Sequence, residues 1–344
     1  MPDIDRRQFL TVPPVPRVPV EGYWLHVSRT AMACRFEVTL PAGILRSDAR
    51  VEAAQLALDE VERLEQQLSV FRDTSEVSEI NRRARLESNG SREPVRVESS
   101  LFRLISQCLE LYRETEGCFD ITAGPLSKCW GFLKRQGRLP DRAEIETALS
   151  IVGSDRLILD SGSESLSFAL TGAEINFGSI GKGYALDQAR LLLEGKVQTA
   201  LLSAGSSSML AIGSGAPGER GWVLGIRDPR NKNRRLGTVR LQNCALATSG
   251  SEEQFFEANG RRYGHIIDPR SGFPADGVLG VTVIAQSAAT ADALATAFFI
   301  GGRELAERYC ESHNDVLAIL LENGCTCPIL IGGNQNCEVD LAAE

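Results

Sequence analysis

The chain reads as an α+β protein, and three observations predict it. Helical and strand-like runs are interleaved irregularly, without the strand–helix alternation of a repeated βαβ plan. No internal repeat is present. The chain has 344 residues, 43% hydrophobic and 24% charged, so it can bury a sizeable core without disulfide or metal staples.

In order, residues 1–21 are Pro-rich and charged and are expected to form an extended or disordered arm, with the folded unit at 22–344. From Arg35 to Leu40, Phe36, Val38 and Leu40 alternate with polar residues, a half-buried strand. Ala54, Ala57, Leu58, Val61, Leu64 and Leu68 fall on one face of a helix. Ser69–Asn81 reads as a polar loop and 82–94 as a longer one. Leu101, Leu104, Ile105, Cys108 and Tyr112 mark a second amphipathic helix, with Gly117 past its end. Cys118–Pro125 enters a loop before Trp130-Gly-Phe132. A hairpin is expected from Arg156–Leu159 and Ser165–Leu170, then a glycine-rich turn at Asn176–Gly183 and a helix at Tyr184–Leu193. Thr199–Ser203, Trp222–Arg227 and Thr238–Leu241 read as strands.

Residues 263–301 are the most informative stretch. Tyr263–Pro274 is a loop punctuated by Pro269, Gly272 and Pro274. Val278–Ala285 is apolar and β-branched, a buried strand. A helix follows at about 288–299, capped near Ser287 or Thr290. Another helix at 303–312 and a strand at 315–321 close the pattern. Asp292 and Thr296 lie four apart and share one helix face. Such a pair offers two hard oxygen ligands to one Mg²⁺ or Ca²⁺. The same spacing also serves a Thr bonding back to its own helix and an Asp near a positive helix end.

Composition excludes several classes. A formal net charge of −8 and a pI near 5.2, with no basic run carrying aromatics, argue against nucleic-acid binding. Nine Cys are scattered without metal-ligand spacing and read as buried free thiols of a reducing compartment. The three His, His26, His265 and His313, are too few for a His-rich metal site. No run reaches the roughly 20 apolar residues of a membrane helix. Arg6-Arg7-Gln-Phe-Leu10 is faintly like an export signal, but a Pro-rich stretch follows it, so no signal peptide is expected and the expected location is cytoplasmic.

Three small-residue turns are candidate anion cradles. Gly178, Gly181 and Gly183 surround Lys182 ahead of a helix, where amides, the helix N-terminus and an ammonium combine. Ala204–Ser208 follows a strand, and Ala247–Gly250 follows an apolar segment. The spacing is neither a Walker loop nor G-x-G-x-x-G. His265 sits where a general base or a backbone hydrogen-bond partner would serve. Asp268 is suited either to orienting a base or to stabilising its turn. A Ser-His-Asp hydrolase stays an open alternative, although the sequence has no G-x-S-x-G.

Taken together in order, the motifs resemble the ApbE family of FAD:protein FMN transferases. They are Ser69-Val-Phe71 with 75–81, Phe119-Asp-Ile-Thr-Ala-Gly-Pro-Leu126 with Trp130-Gly-Phe132, and Ile180-Gly-Lys-Gly-Tyr-Ala185 with Asp187. Ala247-Thr-Ser-Gly250, His265-Ile-Ile-Asp-Pro-Arg-Ser-Gly272 and Ala291-Asp-Ala-Leu-Ala-Thr296 complete the set, which spans Met32 to Phe299. The resemblance implies a T-fold-like architecture of mixed or antiparallel sheets with packed helices across 22–344. It implies FAD as substrate and Mg²⁺ held by Asp292, Thr296 and the backbone of Ser179, with Ala295 a further ligand. Flavin and adenosine contacts are implied at Met32, Phe71, Cys118, Phe119, Asp120, Asn176, Lys182 and Ile266. The implied reaction moves FMN to a Thr or Ser hydroxyl of an acceptor protein and releases AMP, with Asp292 and His265 catalytic and His265 or a nearby carboxylate taking the proton. A periplasmic location also fits the resemblance.

The chain departs from the family at Asn176, at Ser206-Ser207-Ser208 and at Met32-Ala-Cys34. Serines in place of glycines narrow or re-polarise a pocket. Two other readings therefore stand beside transfer: an FAD pyrophosphatase giving FMN and AMP, and a non-catalytic flavin-binding protein. The family's acceptor pattern, Asp-Gly-x-Ser/Thr-Gly-Ala-Thr/Ser, is absent from this sequence, which points to a separate acceptor.

Overall fold

A period of two in burial organises the centre of the molecule. In the strand Leu317–Glu322, Ala318 and Leu320 face one core, while Leu317, Ile319 and Leu321 face another. In Val278–Ala285 the same division puts Val281, Val283 and Ala285 on one side and Ile284 on the other. These strands are covered on both faces, which is why they read as continuous apolar runs.

A computed structural model describes residues 24–41, 49–86, 94–216, 218–251 and 254–341. The expected arm at 1–21 and residues 87–93 of the expected 82–94 loop lie outside these. In chain order the elements are β1 (Trp24–Ala31), β2 (Cys34–Pro41), α1 (Ala49–Leu68), α2 (Glu76–Leu86), β3 (Val95–Arg96) and α3 (Ser99–Glu114). Then come α4 (Gly124–Cys129), α5 (Arg142–Leu149), β4 (Leu157–Asp160), β5 (Ser165–Phe168), α6 (Gly181–Leu193), β6 (Ala200–Ala204) and β7 (Ser208–Ile212). The chain continues through β8 (Trp222–Asp228), β9 (Asn231–Leu241), β10 (Ala245–Gly250), β11 (Phe255–Ala258), β12 (Arg261–Gly264) and β13 (Val278–Ala285). It closes with α7 (Ala288–Ser312), β14 (Leu317–Glu322), β15 (Ile329–Gly332) and β16 (Cys337–Leu341).

The main sheet has eight strands in the order β1-β2-β6-β7-β10-β13-β14-β15, and every neighbouring pair is antiparallel. Helices α1, α6 and α7 cover one face. The three-stranded sheet β16-β9-β8 covers the other through Trp222, Ile226, Val239 and Leu241. A third apolar cluster, centred on fully buried Trp130, binds α4 and α5 to Ile267. The observed α+β architecture of helices on antiparallel sheets is the one the sequence predicts.

Helix α7 is made for close approach. Ala288, Ala289, Ala291, Ala293, Ala295 and Ala297 are all buried on it. Gly183 of α6 meets them so closely that a Cβ would lie 2.1 Å from the Ala288 carbonyl oxygen. The helix kinks at Gly302, whose φ of +67° a side chain would oppose. The kink separates the two runs read as 288–299 and 303–312. Ser287, not Thr290, is the N-cap, and its hydroxyl accepts from the Thr290 amide at 3.2 Å.

Several expectations are corrected. Parts of both stretches read as loops, 69–81 and 82–94, are helical, because α2 runs from Glu76 to Leu86 and buries Val77, Ile80 and Ala84 at helical spacing. Helix α6 starts at Gly181 rather than Tyr184, so Lys182 is in its first turn. Ala247–Gly250 is not a turn but the end of the central strand β10. The Cys residues are free as expected, but Cys325 and Cys327 are exposed rather than buried.

Candidate active site

A cleft of about 400 Å³ opens where the start of α6, the α7 face, the end of β10 and the loops at 118–127 and 265–269 converge. Phe71, Cys118, Asp120, Asn176, Ser179, Lys182, His265, Ile266, Asp292 and Thr296 all line it. Met32, Phe119 and Ala295 do not. Met32 sits in the β1–β2 turn beside Ala33, which does line the cleft. Phe119 and Ala295 are 1% and 0% exposed within the main core. Ala295 can offer a cation only its backbone and does not line the cleft, whereas Asp292, Thr296 and Ser179 do.

Asp292 is the best-held of these groups. Its carboxylate accepts from the Ser208 hydroxyl at 2.8 Å and from the Gly183 amide at 3.0 Å. The second bond sets it against the positive N-terminal end of α6. A carboxylate is a hard oxygen donor, so the chemistry of the site suits a hard cation. Thr296 is loosely engaged: its hydroxyl lies 3.4 Å from both the Asp292 carbonyl and the Ser249 hydroxyl. Both ordinary uses of the pair, the back-bond and the helix-end carboxylate, are thus present alongside a shared exposure to the cleft. The Lys182 ammonium donates to the Ser207 hydroxyl. The serines at 207 and 208 therefore brace the lysine and the aspartate.

The other side of the cleft is a rigid loop. The Trp130 indole donates to the Gly272 carbonyl at 2.8 Å. Gly272 has φ +79°, and a Cβ there would come within 2.7 Å of Ile145. Asp268 grips Arg270 through two bonds at 2.9 and 2.8 Å and receives the Arg270 amide at 2.9 Å. Of its two sequence readings, Asp268 thus stabilises its turn. His265 Nδ1 faces the Gln254 carbonyl at 3.1 Å. A neutral ring donating there carries its lone pair on Nε2, the tautomer a general base needs.

Asp120 lines the cleft but spends its oxygens locally. It accepts from the Thr122 amide and hydroxyl at 2.7 and 2.6 Å and from the Ser154 hydroxyl at 2.7 Å. Burial pushes its carboxyl above the usual range against those bonds. Asn176 holds the glycine turn by accepting from the Gly178 amide at 2.8 Å. Burial lifts the Cys118 thiol to about 11, which keeps it neutral and unreactive. Phe71 stands at the mouth, 72% exposed. Sequence reasoning missed Arg135, a second cation on the lining, and Gln254, the histidine's partner. Neither lies in a pattern that marks it. Thr248 and Ser249 also line the cleft and were visible only as part of the Ala247–Gly250 segment.

Among the described residues no group of three or more His, Cys, Asp and Glu forms a metal cluster, and no helix is long and apolar enough to cross a membrane. The family model described as "ApbE family" matches residues 32–321. A Treponema pallidum protein named FAD:protein FMN transferase is 34% identical over 278 residues, covering 75% of this chain and 74% of that protein. One of the same name from Haemophilus influenzae is 30% identical over 267 residues, with 75% of each covered. A solved ApbE protein from Thermotoga maritima superposes with a TM-score of 0.77 at 30% identity, covering 90% of this chain and 97% of that one.

Proposed function

The chain belongs to the ApbE family and is a flavin transferase of the FAD:protein FMN transferase kind, and from that premise we propose that it moves FMN from FAD to a Thr or Ser hydroxyl of a separate acceptor protein in a Mg²⁺-dependent step. Residues 22–344 act as one transferase unit in this reading. The observation that carries it is the meeting in one cleft of a hard-oxygen pair, Asp292 and Thr296, with Lys182 and His265.

The donor set fits a hard divalent cation, with one carboxylate and two neutral oxygens from Asp292, Thr296 and Ser179. Such a cation, when bound, neutralises charge on a diphosphate. The chain's own groups do the rest. Lys182, braced by Ser207, offers its charge to the diphosphate oxygens. His265 accepts the hydroxyl proton at Nε2 as the acceptor oxygen bonds to the FMN phosphorus. The bond from that phosphorus to the bridging oxygen breaks, and AMP leaves with the bridging oxygen. The pinned 265–272 loop holds His265 in place, which favours a near-attack arrangement.

Incubation of pure protein with FAD and Mg²⁺, with and without a peptide of the acceptor pattern, tests the reading. The expected product is peptide-bound FMN plus AMP. Free FMN plus AMP despite excess peptide replaces transfer by hydrolysis, and no turnover with FAD bound leaves a flavin-binding protein.

A further inference from the structure

We propose that the groove beside the cleft, walled by residues 261–266 and 273–279, seats an extended, acidic segment of the acceptor protein and presents its hydroxyl to His265; this rests on the transfer reading above. A cavity of about 350 Å³ opens there. It shares Gly250, His265 and Ile266 with the first cleft, so the two meet at the residue assigned as base. In-line displacement sets nucleophile and leaving group on opposite sides of phosphorus. The acceptor must therefore enter by a route the dinucleotide does not fill, and this groove ends where such a route must end.

The walls suit an extended acidic chain. Strand β12 supplies Arg261 and Arg262 in a protein of net charge −8. Arg261 reaches Asp276 on the opposite wall at 3.2 Å, with the two side chains 63% and 71% exposed. So exposed an ion pair is weak, so an incoming carboxylate can take the place of Asp276 at little penalty. Among the described strands β12 pairs with β11 alone, and its residues line the groove in succession, which suits main-chain pairing with an added strand. Phe273, 51% exposed and edge-on to Trp130 at 6.0 Å, is an apolar anchor on the rim.

The test measures FMN transfer to a synthetic peptide of the acceptor pattern by the full-length protein and by the Arg261→Glu, Arg262→Glu double variant. The expected result is a peptide KM raised roughly tenfold or more, with FAD affinity and melting temperature unchanged. Replacing the peptide's Asp by Lys should recover part of the loss. Phe273→Ala, which alters no charge, should raise the same KM by an independent route. Peptide KM unchanged in both variants overturns the groove and leaves transfer standing. A parallel loss of FAD affinity overturns it too, by assigning the arginines to the FAD site. Wild-type protein that binds FAD yet gives only free FMN and AMP overturns the transfer reading, and the groove with it.

Discussion

Asp187 and Asp292 close each other's helices. Asp187, on α6, accepts from the Ser287 hydroxyl at 2.7 Å and from the Ala288 and Ala289 amides at 2.9 Å, at the start of α7. Asp292, on α7, accepts from the Gly183 amide at the start of α6. The exchange fixes how far α7 slides along α6, and so where Asp292 and Thr296 stand relative to Lys182. Asp187→Ala strands two amides and a hydroxyl, and each buried unsatisfied group costs about 1–3 kcal/mol. A lowered melting temperature is expected, together with weaker Mg²⁺ dependence although Asp187 does not line the cleft. An unchanged melting curve would falsify the structural half of this claim.

Gly183→Ala probes the same contact from the backbone. Its Cβ would stand 2.1 Å from the Ala288 carbonyl oxygen and 2.5 Å from its carbon, both main chain, so no side chain can yield. The helices must separate, at a cost of about 1–3 kcal/mol for overpacking. Because Lys182 and Asp292 ride on the separating helices, activity should fall further than stability accounts for. Transfer rate measured well below the melting transition checks this, and wild-type activity there would refute it.

How far the fold was legible follows from where the apolar periodicity survives. Helices α1 and α3 show it plainly. Helix α2 buries only three apolar residues, Val77, Ile80 and Ala84, among charged neighbours, too faint a periodicity to mark a helix. Strand β10 ends in Ala247-Thr-Ser-Gly250, small residues whose strand character comes from the neighbours β7 and β13 rather than from propensity. The β11–β12 hairpin carries a local signal, the Asn259-Gly260 turn with both φ positive. In the site, chemistry-bearing residues were visible as motif members. Their bracing by Ser207, Ser208 and Gln254 was not, since it joins residues many positions apart.

Acid stability should turn on Glu98, which caps α3. Burial pushes its carboxyl up, but bonds from the Ser100 hydroxyl and amide, Gln67 and the Leu101 amide outweigh that and hold it at about 2. The folded value lies below the ordinary 4.5, so the native state binds fewer protons than the unfolded chain in between. Its contribution is present above pH 4.5 and is lost as pH falls toward 2. Asp120 and Asp187 act with the opposite sign, since burial raises both and their contributions decline as pH rises above 3.8. Denaturation of wild type and Glu98→Gln across pH should show a stability gap at neutrality that closes below pH 4.5. A gap independent of pH would remove the carboxylate from the explanation.

Cation dependence should divide unequally between Asp292 and Thr296. Asp292→Ala removes the only charged oxygen of the set and releases Ser208 and Gly183. Thr296→Ala removes one neutral hydroxyl held at 3.4 Å. Transfer should therefore fall far more in the first, with the Mg²⁺ needed for half-maximal rate raised in both. Ser208→Ala, which removes a hydrogen bond that holds Asp292, should raise that Mg²⁺ requirement without abolishing transfer. Helix content should persist in all three. Full Mg²⁺-dependent turnover by Asp292→Ala would dispose of the metal assignment.

His265→Ala separates proton transfer from binding. The histidine is a wall of the cleft, but its assigned work is to accept a proton while the diphosphate opens. Loss of a general base lowers a rate by roughly 10²–10⁴, and FAD affinity should change little by comparison. The pH–rate profile is the sharper readout. Wild type should lose rate as the imidazole is protonated and its Nε2 lone pair disappears, whereas the alanine variant should lack that limb. Gln254 offers only its backbone carbonyl to the ring, at 3.1 Å, so Gln254→Ala should leave the limb intact. If His265→Ala keeps the acidic limb, another group takes the proton, and the meeting of cleft and groove at this residue is then one of shape alone.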